Sequence, residues 1–140
     1  LALPVDKRTI LKDMQRPFVE ENVGVLKGSG PTRYVDHLVV DEATVASTRP
    51  RVDVYSTKFR DLSNLTKREA EDIAKADARE AMEFYGGTLE IRRPQHPLFR
   101  KRVSVTRVRL IYGSPLMPSE MLQNAMRRAA KPSGVEVVFR

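Results

Sequence analysis

The chain predicts a mixed α/β (α+β) fold, a three-layer-like sandwich around one mixed central β-sheet. Three observations carry that expectation. Runs that alternate apolar and polar side chains at period two are interleaved with runs of period three to four. Three strand-like runs precede the strongest helix, which departs from the simple alternation of a doubly wound sheet. The 140 residues are 41% hydrophobic with no cysteine, enough for one domain spanning 1–140 whose core closes without disulfides or a thiolate zinc site.

The elements follow in order. Residues 6–21, DKRTILKDMQRPFVEE, predict a helix, with Ile10, Leu11, Met14, Phe18 and Glu21 at three- and four-residue spacing and a kink at Pro17. VGVLKGSGP predicts a short strand and a turn; Gly28-Ser29-Gly30-Pro31 lacks the lysine and helix that follow a phosphate-binding loop. TRYVDHLVVDE predicts a strand, residues 43–50 a loop closed by Pro50, and RVDVYSTKF a third strand. Residues 66–85 predict the best helix. Thr66 with Glu69 makes a capping box, Ala70, Ile73, Ala74, Ala78, Ala81 and Tyr85 an apolar stripe, and Gly86-Gly87 a stop. TLEIRR and KRVSVTRVRLIYG predict two strands, the second with a bulge near Thr106 where its apolar parity changes. Pro118 and Ser119 open a helix through Ala130, and GVEVVFR predicts a last strand. The expected order is αβββαββαβ.

Charge is unevenly spread. Residues 1–90 carry 14 Lys and Arg against 16 Asp and Glu, a balance of −2, whereas residues 91–140 carry 11 against 2, a balance of +9. Nine of those eleven cations are arginine, whose planar fork suits phosphate. A polyanion such as nucleic acid is the natural partner. Arg107 and Arg109 share one strand face and are the first candidates for phosphate contact, followed by Arg127 and Arg128 and by Arg92 and Arg93. No apolar stretch approaches a membrane span, and no signal-like segment opens the chain, so a soluble domain is expected. The start at Leu1 raises the expectation of a domain from a longer protein.

A hairpin can also hold phosphodiester chemistry. A metal ion that activates water needs two or three hard oxygen ligands converging on one point, and a nearby lysine stabilises the charge that develops. Ser56 and Lys58 are two apart and share a strand face, and Asp36 lies a hairpin's length upstream. An aspartate flanked by apolar residues, as in RYVDHLVV, needs a partner or a metal.

YVDHLVVDEATVASTRPRVDVYSTK resembles the core of the PD-(D/E)xK, or restriction-endonuclease-like, nuclease superfamily, built as helix, three strands, helix, strand. The resemblance implies that Asp36 binds a divalent metal, magnesium first, that Ser56 occupies the position usually held by glutamate, and that Lys58 is catalytic. It implies a further acid from the first helix, for which Glu21 is the better match and Glu20 the alternate. Because serine replaces a carboxylate, Asp53 or Asp41 would supply the missing ligand, although Asp53 is an odd number of residues from Lys58. The chain more loosely resembles the C-terminal toxin domains of bacterial contact-dependent inhibition and other polymorphic toxin systems. That implies a secreted or surface-delivered nuclease acting in the target-cell cytoplasm, on RNA and on transfer RNA first, and neutralised by an acidic immunity protein.

Two rivals stand beside this reading. One is a metal-independent, barnase-like ribonuclease using His37 or His96 with an arginine and a tyrosine. The other is a non-catalytic arginine-rich nucleic-acid-binding module. His37 by itself reads as a structural or substrate-contacting residue.

Overall fold

The computed structural model describes residues 13–140. Seven strands form one mixed sheet: β1 Pro17–Leu26, β2 Arg33–Asp41, β3 Val52–Phe59, β4 Thr88–Ile91, β5 Arg102–Ser104, β6 Arg107–Gly113 and β7 Val135–Phe139, in the order β5-β4-β1-β2-β3-β6-β7. Helix α1, Lys67–Tyr85, follows β3, and helix α2, Glu120–Ala130, joins β6 to β7. β1, β2 and β3 form an antiparallel meander, and β3, β6 and β7 run parallel. The mixed α/β class therefore holds. Both described helices pack on one face of the sheet at its β6-β7 side, so the described residues show one helical layer against the sheet rather than the expected three-layer arrangement.

The expected first helix is a correction. Residues 17–21 belong to β1, paired with β2 from Pro17↔Asp41 to Val25↔Arg33, while residues 6–12 lie outside the described residues. Val19, Val23 and Val25 fit a period of two as well as Met14, Phe18 and Glu21 fit a period near four. Pairing with β2 along almost its whole length decides between them, while β4 pairs only with Val25 and Leu26 and the Arg93 side chain donates to the Glu21 and Asn22 carbonyls. Pro17, whose missing N–H would break a strand's interior, stands at the strand's first residue.

The second correction concerns KRVSVTRVRLIYG, which is two strands rather than one bulged strand. β5 pairs with β4 at the sheet margin, whereas β6 lies between β3 and β7. Five strand spacings separate them in hydrogen-bonded order, about 24 Å in a flat sheet, yet the three backbone steps from Ser104 to Arg107 reach only about 11 Å. The sheet must curl. Val105 N–H donates to Gly87 O at 2.8 Å and Thr106 N–H to Val52 O at 2.7 Å, which ties the crossing to the start of β3. Inside the curl Val23, Val25, Leu38, Val54, Leu89 and Ile91 are fully or almost fully buried.

Helix α1 forms as expected: Thr66 Oγ1 accepts from Glu69 N–H, and the Glu69 carboxylate accepts from Thr66 N–H. Its alanine stripe, Ala70, Ala74, Ala78 and Ala81, lets the helix approach closely and bury against Leu110 and Tyr112 of β6, with Met126 of α2 alongside. Ser119 caps α2 by accepting from Leu122 N–H.

Candidate active site

Strand alternation assigns the sheet's two faces. Val108, Leu110 and Tyr112 point to the helices, and their registered neighbours Val54, Ser56 and Lys58 on β3 share that face. Asp53, Tyr55 and Thr57 project from the other face, in register with Arg107, Arg109 and Ile111.

On the helix side β2 and β3 fork. Their pairing ends at His37↔Tyr55, beyond which β2 continues beside β1 alone and β3 beside β6 alone. The Thr57 N–H is thereby left without a partner across the ladder, and the Asp36 carboxylate takes it at 2.8 Å through one oxygen. Asp36 is exposed, Ser56 is buried and Lys58 is half-buried. Helix α1 closes the fork: Lys58 Nζ donates to Glu80 Oε1 at 3.0 Å, and Tyr85 O–H donates to Tyr34 O at 3.1 Å. Burial first, and the Asp36 carboxylate second, push the Tyr85 phenol up from its ordinary value. Asp36, Ser56 and Lys58 thus share one corner with Glu80 and Tyr85, two helix residues that strand patterning does not single out. Glu80 leaves no signal in the sequence, since an acid at the margin of an amphipathic helix looks like any solvated residue. Asp77, one turn earlier, does leave one, as a carboxylate within the alanine stripe. Asp77 is buried, accepts from Tyr112 O–H at 2.8 Å and is bound by the Arg60 guanidinium.

The remaining expected ligands are elsewhere. Glu21 is on strand β1 rather than a helix, and with His37, Tyr55, Arg109 and Glu136 it forms a registered row across the opposite face. Its Oε1 is 3.8 Å from His37 Nε2. Asp53 is on that face too, fully buried, accepting from Arg51 Nε at 3.0 Å and Arg109 Nη1 at 3.1 Å. Neither joins Asp36 on the helix side. Glu20 is bound by Arg93. Asp41 caps the turn after β2: its oxygens accept from Gln15, Arg16 and Ala43 N–H. Burial works against that carboxylate's charge, and the three donors outweigh it, holding its pKa below the ordinary value.

The arginines divide as well. Arg109 is buried, bonded to Asp53, Glu136 and the Tyr55 hydroxyl, so it holds the fold and presents no free fork to a phosphate. Burial pushes the Tyr55 phenol up to about 12, which keeps it neutral beside that guanidinium. Arg107 reaches Glu136 at 3.2 Å and is half-exposed. Arg92 pairs with Glu90, and Arg93 with Glu20 and the Glu21 and Asn22 carbonyls. Arg127 bonds Asn124 and lies over the Phe139 ring, and Arg128 is exposed. His96 is buried and accepts from Leu98 N–H at 3.0 Å through Nδ1; burial pushes its pKa down. It shapes a turn.

No family model matches the chain, and no curated protein or solved structure matches it significantly.

Among the described residues, no group of three or more His, Cys, Asp or Glu converges to cage a metal. A hydrated magnesium ion asks for less, since it keeps several waters and is held by one or two carboxylates together with substrate phosphates. Asp36 fits that role, because Thr57 engages only one of its oxygens. Among the described residues, no helix is long and apolar enough to cross a membrane.

Proposed function

We propose that the protein is a magnesium-dependent endonuclease that hydrolyses phosphodiester bonds at the β2–β3 fork, acting on RNA and on transfer RNA first. The observation that carries this reading is the meeting of Asp36, Ser56 and Lys58 in one corner, with Lys58 aimed by Glu80. The strand order β1-β2-β3-β6-β7, in which only β2 runs antiparallel to its neighbours, supports a restriction-endonuclease-like core. The three-strand meander and α1 keep the expected order, whereas the strand that follows α1, β4, pairs with β1 rather than β3, and β6 takes the place beside β3.

The chain's own residues divide the work. Asp36, fixed by the Thr57 N–H, would hold the metal with the substrate phosphate, and the bound ion would supply charge neutralisation and a more acidic water. Lys58, an ammonium held in an ion pair, donates to the non-bridging phosphate oxygens, whose charge grows as water oxygen bonds to phosphorus and the leaving oxygen departs. Glu80 orients Lys58 for that task. Ser56 offers a hydroxyl to orient the attacking water. A polymorphic-toxin role, with delivery into a target-cell cytoplasm and an acidic immunity protein as inhibitor, extends this reading and is supported by the arginine-rich last third.

A metal-independent ribonuclease is the second reading, favoured by the row of Glu21, His37, Tyr55 and Arg109. It ranks behind because Tyr55 and Arg109 are buried and already bonded to each other, and Arg109 to acids as well. Total bacterial RNA and plasmid DNA incubated with the protein, in magnesium and in EDTA, separate the readings. Cutting that needs magnesium supports the fork. Cutting that survives EDTA moves the chemistry to the other face, and no cutting under any metal leaves a binding module.

A further inference from the structure

A cavity of about 830 Å³ opens at the carboxyl ends of β3 and β6, lined by residues that include Phe59, Arg60, Asp61, Gly113, Leu116 and Arg140; the Asp61 carboxylate accepts from the N–H and hydroxyl of Ser63 in its own loop. We propose that it is a nucleobase subsite in which Phe59 stacks an unpaired base and Arg140 meets the adjoining phosphate. The inference rests on the nuclease reading of the fork and names the part of the substrate held beside it.

Phe59 is 79% exposed at the end of a strand, where an unoccupied aromatic ring forfeits its burial. Its ring nevertheless lies close over the neighbouring strand. Phe59 is in register with Gly113, and a Cβ built on that glycine would stand 2.9 Å from the ring's Cε1 and 3.0 Å from Cδ1. The glycine therefore lets the ring lie over the β6 backbone with its outer face free. Arg60 cannot serve as the anion contact, because its guanidinium is engaged by Asp77. Arg140 is exposed, and its backbone is anchored by the bond from its N–H to Tyr112 O at 3.0 Å. The site lies where parallel strands end, the usual crevice for ligands in such sheets.

A nucleotide is the occupant this lining selects. Every base has a π face for stacking, and a guanidinium at the rim suits the phosphate that accompanies it. The volume falls in the range of ordinary ligand pockets. Phe59 immediately follows Lys58 on β3 and projects to the opposite face of the sheet, so a strand held at the fork rounds the carboxyl end of β3 to bring its flanking nucleotide to this ring.

The test is binding of a fluorescein-labelled oligoadenylate RNA, measured by anisotropy in EDTA so that cutting does not interfere, together with the same oligomer made abasic. Phe59→Ala should weaken binding of the intact RNA about 10-fold, the usual scale of one base stacked on an aromatic ring. Phe59→Trp should bind at least as well as the parent, and Gly113→Ala, which displaces the ring, should bind like Phe59→Ala. The abasic RNA should bind the parent weakly, with no further weakening in Phe59→Ala. Melting by circular dichroism reports whether each variant is folded, and the comparison of Phe59→Trp and abasic RNA stands without the alanine variant. Equal binding of intact RNA by parent and folded Phe59→Ala overturns the subsite, as does an equal weakening on intact and abasic RNA. If Lys58→Ala cuts like the parent while base-dependent binding at Phe59 persists, the nuclease site falls and the subsite stands. If cutting needs Lys58 but Phe59→Ala binds normally, the subsite alone falls.

Discussion

Two aspartates of β2, Asp36 within the strand and Asp41 at its end, have different uses, and substitution should separate them. Asp41 accepts three backbone N–H groups while buried, so Asp41→Ala leaves those donors unpaired and should cost about 2 kcal/mol in urea unfolding. Its lowered pKa gives that contribution a pH dependence. The stabilisation is present above the ordinary carboxylate pKa near 4 and is lost as pH falls through the lower folded value. The stability gap between the parent and Asp41→Asn should therefore be wider at pH 7 than at pH 2.5. Asp36 is exposed and accepts a single N–H, so Asp36→Ala should remove at least about 100-fold of the cutting rate while changing stability by less than about 1 kcal/mol. Glu80→Gln should lower kcat by about 10-fold with KM little changed, because Glu80 touches Lys58.

At the scale of elements, the face of β3 and β6 turned from the helices is held by a buried charge cluster. Replacing Arg109 with methionine leaves Asp53 with Arg51 as its remaining cation and the Tyr55 hydroxyl and Glu136 without their buried partner, and should destabilise by about 2 kcal/mol, whereas Arg107→Ala should fall within about 0.5 kcal/mol. Equal effects in the two variants would show that burial does not separate them. The sequence already put Arg107 and Arg109 on one face, because alternation along a strand needs no partner to be read. It could not show that Asp53, Glu136 and Tyr55 would converge on Arg109, since those contacts come from register across three strands. Helix α1 was legible to its capping residues for the converse reason: Thr66, Glu69 and the alanine stripe are local signals. β1 was not, because its first half fits two periods and only pairing with β2 selects one. The parity change near Thr106 was a true signal whose meaning, a jump between distant strands, depends on the curl of the whole sheet.

Over the whole molecule, the basic last third does not act as one surface. Arg92, Arg93 and Arg109 are tied to acids, and Arg127 and Arg128 stand on α2. RNA affinity should still fall with salt, and the Arg127→Ala, Arg128→Ala double variant should reduce the magnitude of the log–log slope by about 0.7 for each phosphate it no longer neutralises. Strand spacing put Ser56 and Lys58 on one face with Asp36 across the hairpin, but it gave no sign of Glu80, because only the crossing of α1 over the fork brings that residue to Lys58. The fork is therefore best tested at Lys58, which both the strand register and the helix contact single out. The most direct measurement is magnesium-dependent cutting of total bacterial RNA and plasmid DNA by the parent and by Lys58→Ala, with circular dichroism confirming that both are folded. Cleavage by the parent that needs magnesium and disappears in folded Lys58→Ala is the expected result; equal cutting by the two proteins would contradict it.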